Sequence, residues 1–366
     1  MEQMPEQRKP AESFRIAGRV LALFFALFSV ISYVISLILG PVLFYSTSDG
    51  LAVAARHLHQ LPIDVFALLE IPIPLGISFG ALFLGMWILF VLCFVAAGLS
   101  GDRFLASIYD FVYKPIKLAK TNFLYIMPLV GSGLLYATIL ISQLQEAHGV
   151  QTGSLNFPPK TSPYVILLNL AFAPLNEEFA FRITSIGIPL ALYLIYRYAS
   201  TPKLPNFKSA IGLFFLTMFS PEMAKAKMGY RTVAADGLFR GVSPLEWILI
   251  LITSFVFGAA HLLLGGGWEI GKVSTAFLAG FVFAIMYVSY GAYADILLHW
   301  FFNYYFTVLD MANTAYGGVI GSLVNTTEVA SLFGGIVALI VFLLSSGWDI
   351  VTFLTRRGKP ASPQEL

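Results

Sequence analysis

The chain has 366 residues, of which 58% are hydrophobic and 11% are Asp, Glu, Lys or Arg, with a mean hydropathy of +0.79. A soluble domain carries about 25% charged residues, so the composition excludes an ordinary water-soluble globule. The formal net charge of +2, with basic residues spread between apolar runs, excludes nucleic acid as a partner, and the single cysteine, Cys93, excludes an intrachain disulfide and a thiolate metal cluster.

Residues 1–19 carry Arg8, Lys9, Arg15 and Arg19 with Pro5 and Pro10, and read as a polar cytoplasmic tail. The apolar stretch that follows is far longer than the roughly 7–15 residues of a signal-peptide core, so it reads as a retained first helix. Runs long enough to cross a bilayer are expected at Val20–Phe44, Leu75–Ala97, Phe123–Ser142, Tyr164–Tyr196, Leu245–Leu264, Val273–Tyr290, Ala292–Met311 and Val329–Phe353. The fold class is therefore all-α: a polytopic transmembrane bundle of about eight spans over residues 20–354. The fourth run is overlong and contains Pro174 and Pro189, which predicts a kinked helix or two helical pieces. Ala210–Phe219 is too short to cross and reads as re-entrant or interfacial.

Lys and Arg prefer cytoplasmic loops. The first 19 residues, the connection with Arg103, Lys114, Lys117 and Lys120, the insertion at about 200–244 and the tail at 355–366 all carry them, and all fall on one side of an eight-span arrangement. Both termini are thus expected in the cytoplasm. The opposite loops, Gln143–Ser162 and Asn313–Thr327, are nearly free of basic residues. The insertion suits either a helix lying on the inner leaflet or a solvated loop.

An ionisable group near the bilayer centre costs roughly 2.5–3.5 kcal/mol on insertion scales, so such residues carry a functional hypothesis by default. Away from span edges these are Glu177, Glu178 and Arg182, then His261, then Asp295, His299 and the amide Asn303. Glu178 and Arg182 are one helical turn apart and suit an ion pair, which leaves Glu177 free to act as a general base. His299 and Asn303 are also one turn apart and suit a pair of donors facing a developing oxyanion. His261 is placed to hold a water with Glu177, and Asp295 to orient His299. His57, His59 and His148 fall in expected loops and carry no functional reading. A buried structural ion network is the competing reading of the glutamate pair. At the level of the whole chain, the competitors are a transporter or proton-coupled channel and a non-enzymatic immunity or scaffold protein.

Glu177-Glu178-Phe179-Ala180-Phe181-Arg182 resembles an EExxxR motif, Phe257-Gly258-Ala259-Ala260-His261 an FxxxH motif, and His299-Trp300-Phe301-Phe302-Asn303 an HxxxN motif. In this order on separate apolar runs, over 164–311, they resemble the CPBP (ABI) family of intramembrane peptidases. That family includes the type II CAAX prenyl endopeptidases and the bacteriocin-processing and immunity proteins. The resemblance implies a polar intramembrane cavity in which Glu177 activates water, His261 helps hold it, His299 and Asn303 stabilise the oxyanion, and Glu178 and Arg182 support the base. It implies a membrane-associated peptide or protein substrate, with prenylated CAAX-type proteins among the candidates, and contact with membrane lipid. Members are labelled metalloproteases, yet a metal-free mechanism has been argued for the prenyl endopeptidase branch. No cofactor is the expectation here; if Zn²⁺ is present, Glu177, His261 and His299 would ligate it, although no HExxH helix is found. Two departures stand out: Ile183 replaces the glycine usual after the motif arginine, and the 200–244 insertion is long.

Overall fold

The computed structural model describes residues 10–114, 116–199 and 207–356. The expected stretches 1–9, 200–206 and 357–366 therefore lie outside the described residues. The first helix, α1, runs from Pro10 to Ser46, so the second half of the expected polar tail is already helical. A short α2, Ser48–Ala54, leads into an antiparallel hairpin of β1, His57–Val65, and β2, Leu69–Ser78. Helix α3 spans Phe79–Leu99, and a small α4 spans Ile108–Tyr113. Next come α5, Phe123–Ala147, and α6, Pro163–Glu178, which widens into a π-helical segment Phe179–Gly187 before α7, Ile188–Ala199. Four helices follow: α8 Phe207–Phe219, α9 Pro221–Lys227, α10 Val233–Asp236 and α11 Leu238–Gly241. Helices α12, Pro244–Leu263, and α13, Ile270–Tyr290, form an antiparallel pair. The last run is α14, Ala292–Trp300, a π-helical segment Phe301–Tyr305, and α15, Phe306–Tyr316; α16, Gly318–Arg356, closes the chain.

This is an all-α polytopic membrane bundle. Among the described residues, seven helices are long and apolar enough to cross a bilayer. The expected span Ala292–Met311 is helical throughout but is not among the seven. Its Asp295, His299 and Asn303 dilute its hydropathy below that of the seven. The fourth run did not break at its prolines: α6, the π segment and α7 are continuous from Pro163 to Ala199. The expected loop Asn313–Thr327 is also mostly helix, interrupted only at Gly317, where α15 gives way to α16.

The hairpin was unexpected. His57 and His59 lie in β1 rather than in a loop, and the first residues expected in the second span, Leu75–Ser78, are strand. In an antiparallel pair, alternate residues point their N–H and C=O outward. The Asp64 N–H is given to Asn176, so the Asp64–Glu70 pair is an outward one. The register then makes Pro62 opposite Pro72, and Gln60 opposite Pro74, outward pairs too. Three of these positions lack a donor because they are proline. Beside an apolar bundle, where an unpaired N–H costs several kcal/mol, these prolines reduce what an open strand edge would leave unsatisfied.

The described part of the insertion is helical rather than a plain loop. It folds into α8–α11 and is anchored by buried polar contacts. Lys225 Nζ lies 2.9 Å from Glu246 Oε1 and donates to the Gly241 carbonyl at 2.8 Å. Glu246 also closes a capping box with Ser243 at the start of α12.

Candidate active site

The site is assembled from α6, α12 and α14. Helix α6 loses its regular winding immediately after Glu178, and the π segment carries Arg182. π turns leave carbonyls short of intrahelical partners and recur at functional sites. Here the Ala180 carbonyl accepts from the Thr184 hydroxyl at 2.8 Å, the Ser185 hydroxyl at 2.7 Å and the Ala67 N–H of the hairpin tip at 3.1 Å. The tip residues Phe66 and Ala67 adopt φ of +46° and +69° to make this approach, a conformation rare outside glycine. One turn back, Asp64 clamps Asn176 by two hydrogen bonds: its N–H donates to Oδ1 at 2.9 Å, and its carboxylate accepts from Nδ2 at 2.7 Å. Asn176 immediately precedes Glu177.

The two glutamates divide as the spacing predicts. Glu178 and Arg182 are both fully buried and paired at 3.1 Å. Arg182 also donates to the Gly280 carbonyl at 3.0 Å, and its guanidinium lies 4.6 Å from the centroid of Phe257 and 5.5 Å from that of Phe283. Glycine is required at 280, since an added Cβ would stand 2.9 Å from the Phe257 ring and 3.1 Å from the Arg182 guanidinium. Glu177 keeps 29% of its side chain exposed, and its Oε2 has no hydrogen-bond partner among the described residues.

His299 is held on several sides. Its Nδ1 donates to Glu178 Oε1 at 2.7 Å, and the Asn303 amide lies 3.2 Å from Nε2. Its ring stacks on Phe283 with centroids 5.1 Å apart. Its Nε2 lies 3.7 Å from Glu177 Oε2, too far for a direct hydrogen bond. The orienting carboxylate is thus Glu178. Asp295, expected in that role, is fully buried, makes no hydrogen bond to His299 and sits in electrostatic reach of Glu178 instead. A second π segment, Phe301–Tyr305, begins just after His299 and contains Asn303. The two donors expected side by side are therefore in contact with each other.

His261 donates from Nδ1 to the Phe257 carbonyl at 2.8 Å, which leaves Nε2 as an acceptor. It lies in electrostatic reach of Glu177 and of His299, and Phe257 packs edge-on against both imidazoles. All six motif residues thus gather in one region. His57, His59 and His148 take no part in it.

Lys272 is a neighbour that motif reading missed. It is the third residue of α13, its ammonium sits 4.0 Å from the ring centroid of Trp268, and it interacts electrostatically with Glu177 and His261. Its only sequence signal was a charge two residues inside an apolar helix.

The residues do not fit the zinc set as arranged. Both His299 nitrogens are engaged by Glu178 and Asn303, so only Glu177 and Nε2 of His261 remain as donors, one short of the three protein ligands of a catalytic zinc. Among the described residues, no group of three His, Cys, Asp or Glu side chains is arranged to hold a metal ion.

The segment that carries all three motifs also matches a known family as a unit. Residues 159–305 match the family model Type II CAAX prenyl endopeptidase Rce1-like. The matched segment runs from just before α6 to the second π segment, so it contains every motif residue and the insertion, while α1–α5, the hairpin, α15 and α16 lie outside it. The matched family agrees with the one that the three motifs resemble. No curated protein and no solved structure matches the chain.

Proposed function

We propose that the protein is an intramembrane endopeptidase in which Glu177 activates water against a peptide bond of a membrane-associated polypeptide. The observation that carries this reading is the contrast between adjacent carboxylates. Glu178 is locked to Arg182 and His299, whereas Glu177 Oε2 has no hydrogen-bond partner among the described residues and faces His299 across 3.7 Å. A water donating to Glu177 and to Nε2 of His261 is held between two acceptors with its lone pairs free for attack. Glu177 takes one proton as the oxygen bonds to the carbonyl carbon. The developing oxyanion accepts from one N–H of the Asn303 amide, whose other N–H donates to Nε2 of His299 and so holds the amide in place. Glu177 returns its proton to the leaving nitrogen, the C–N bond breaks, and a carboxylic acid and an amine separate.

No metal is assigned a step in this reading. The basic segments support a topology with both termini in the cytoplasm. The test is cleavage of quenched peptides, with and without a prenylated CAAX-type end, by the purified protein in detergent. Turnover that persists in chelator is expected. Loss of turnover restored specifically by Zn²⁺ would replace the mechanism, and no cleavage of any peptide would overturn the peptidase reading in favour of transport or scaffolding.

A further inference from the structure

Lys272 is a charged side chain that the reaction as derived does not use. It stands in the first turn of α13, where the positive end of the helix dipole disfavours a cation. An ordinary partner is at hand, since Glu269 lies three residues back, at the N-cap of the same helix, and is exposed. That pair is not made. Among the described residues, no carboxylate oxygen lies within 4.0 Å of the Lys272 ammonium. The carboxylate with which it interacts electrostatically is Glu177 rather than Glu269, and it acts on His261 as well. The ammonium therefore belongs to the active-site side of its helix.

The surroundings hold it there. The ammonium lies 4.0 Å from the centroid of the Trp268 ring, and that ring lies 6.4 Å from the His261 ring. Trp268 is fixed through its backbone neighbours, because residues 151–156 strap the loop between α12 and α13. The Ser154 and Asn156 N–H groups donate to the Gly267 and Gly266 carbonyls at 3.2 and 2.8 Å, and those of Glu269 and Gly271 donate to the Thr152 and Gln151 carbonyls at 3.0 and 2.8 Å. The strap runs so close that a Cβ added to Gly271 would stand 2.7 Å from the Gln151 carbonyl oxygen. An indole face attracts an ammonium but offers no oxygen to its three N–H groups. The cation is thus positioned and still has donors to give.

A peptide bound beside Glu177 meets both charges. Glu177 by itself repels an acidic group near the scissile bond; the ammonium offsets that repulsion and supplies charge-assisted hydrogen bonds, which are stronger than neutral ones. We propose that Lys272 is a specificity residue that touches substrate, its ammonium pairing with a carboxylate of the peptide held beside Glu177. That carboxylate is either the peptide's own C-terminus or an Asp or Glu side chain near the scissile bond. The word substrate rests on the peptidase reading.

The test compares one quenched peptide in three forms: with a free C-terminal acid, with a C-terminal amide, and with an amide end and glutamate as its last residue. Each is given to the full chain in detergent, as wild type, Lys272→Met and Lys272→Arg. The wild type should favour an acidic form over the plain amide by about 10–100-fold in kcat/KM, the worth of a hydrogen bond between charged groups. Preference for the free acid alone assigns the terminal carboxylate, and preference for the glutamate form assigns a side chain. Lys272→Met should abolish the preference through KM, with kcat and the plain amide unchanged, and Lys272→Arg should retain it. An equal fall for all three forms in Lys272→Met, or a wild type that does not distinguish them, would overturn the inference. Should no form be cut, the peptidase reading fails, and fluorescence anisotropy of the same three peptides decides the role of Lys272. Tighter binding of an acidic form that Lys272→Met loses would uphold the pairing, and equal binding of all forms would overturn it.

Discussion

Glu177 and Glu178 are adjacent in sequence and meet opposite fates. Glu178 with Arg182 is dry, paired and gripped by aromatic rings; Glu177 with His261 is partly open and incompletely bonded. A buried ion pair is costly to break from one side, because the remaining charge is left without compensation. An open carboxylate contributes little to stability and is available for chemistry. The comparison teaches that one motif supplies both scaffold and reagent, and substitutions should separate them.

The largest effect on turnover is expected from Glu177→Gln, which should lower kcat by about 10²–10⁴-fold while leaving thermal stability in detergent unchanged. A matching fall in stability would place Glu177 in the buried ion network with Arg182 instead. Removing a donor at the oxyanion position comes next: Asn303→Ala should cost about 10²–10³-fold in kcat, with little change in KM. Arg182→Met should act chiefly on the fold, destabilising by about 3–5 kcal/mol as read by denaturation in detergent. Combining it with Glu178→Gln should recover part of that loss, since both charges are then gone. The smallest effect is expected at the hairpin. Asp64→Ala removes two hydrogen bonds to Asn176, together worth about 1–3 kcal/mol, and should loosen the turn that carries Glu177. Its signature is a reduced kcat that Asp64→Asn, which keeps the N–H and one acceptor, partly restores.

Much of this contrast was legible in the chain. The one-turn spacing of Glu178 and Arg182 predicts their pairing because helix geometry fixes which side chains share a face. The same rule brought His299 to Asn303, but it could not say that Glu178, from another helix, would take Nδ1 of His299. Asp295 looked the better partner because it lies one turn away in sequence. The structure spends that turn differently, and the carboxylate that orients the imidazole arrives from across the bundle. The two π segments were likewise hidden, since no residue pattern distinguishes a widened turn from a regular one before its carbonyls find partners. The hairpin was missed because a proline-rich strand between apolar helices resembles a connection.

Composition and hydrophobic run length alone determined that this is a membrane bundle, because the bilayer sets a minimum apolar length and punishes charge wherever backbone and side chains meet lipid. They also picked out the few polar residues whose presence needed a reason. Only the tertiary structure decided which carboxylate stays open and which histidine nitrogen remains unengaged. Those outcomes depend on contacts between helices far apart in sequence, and no local period encodes them.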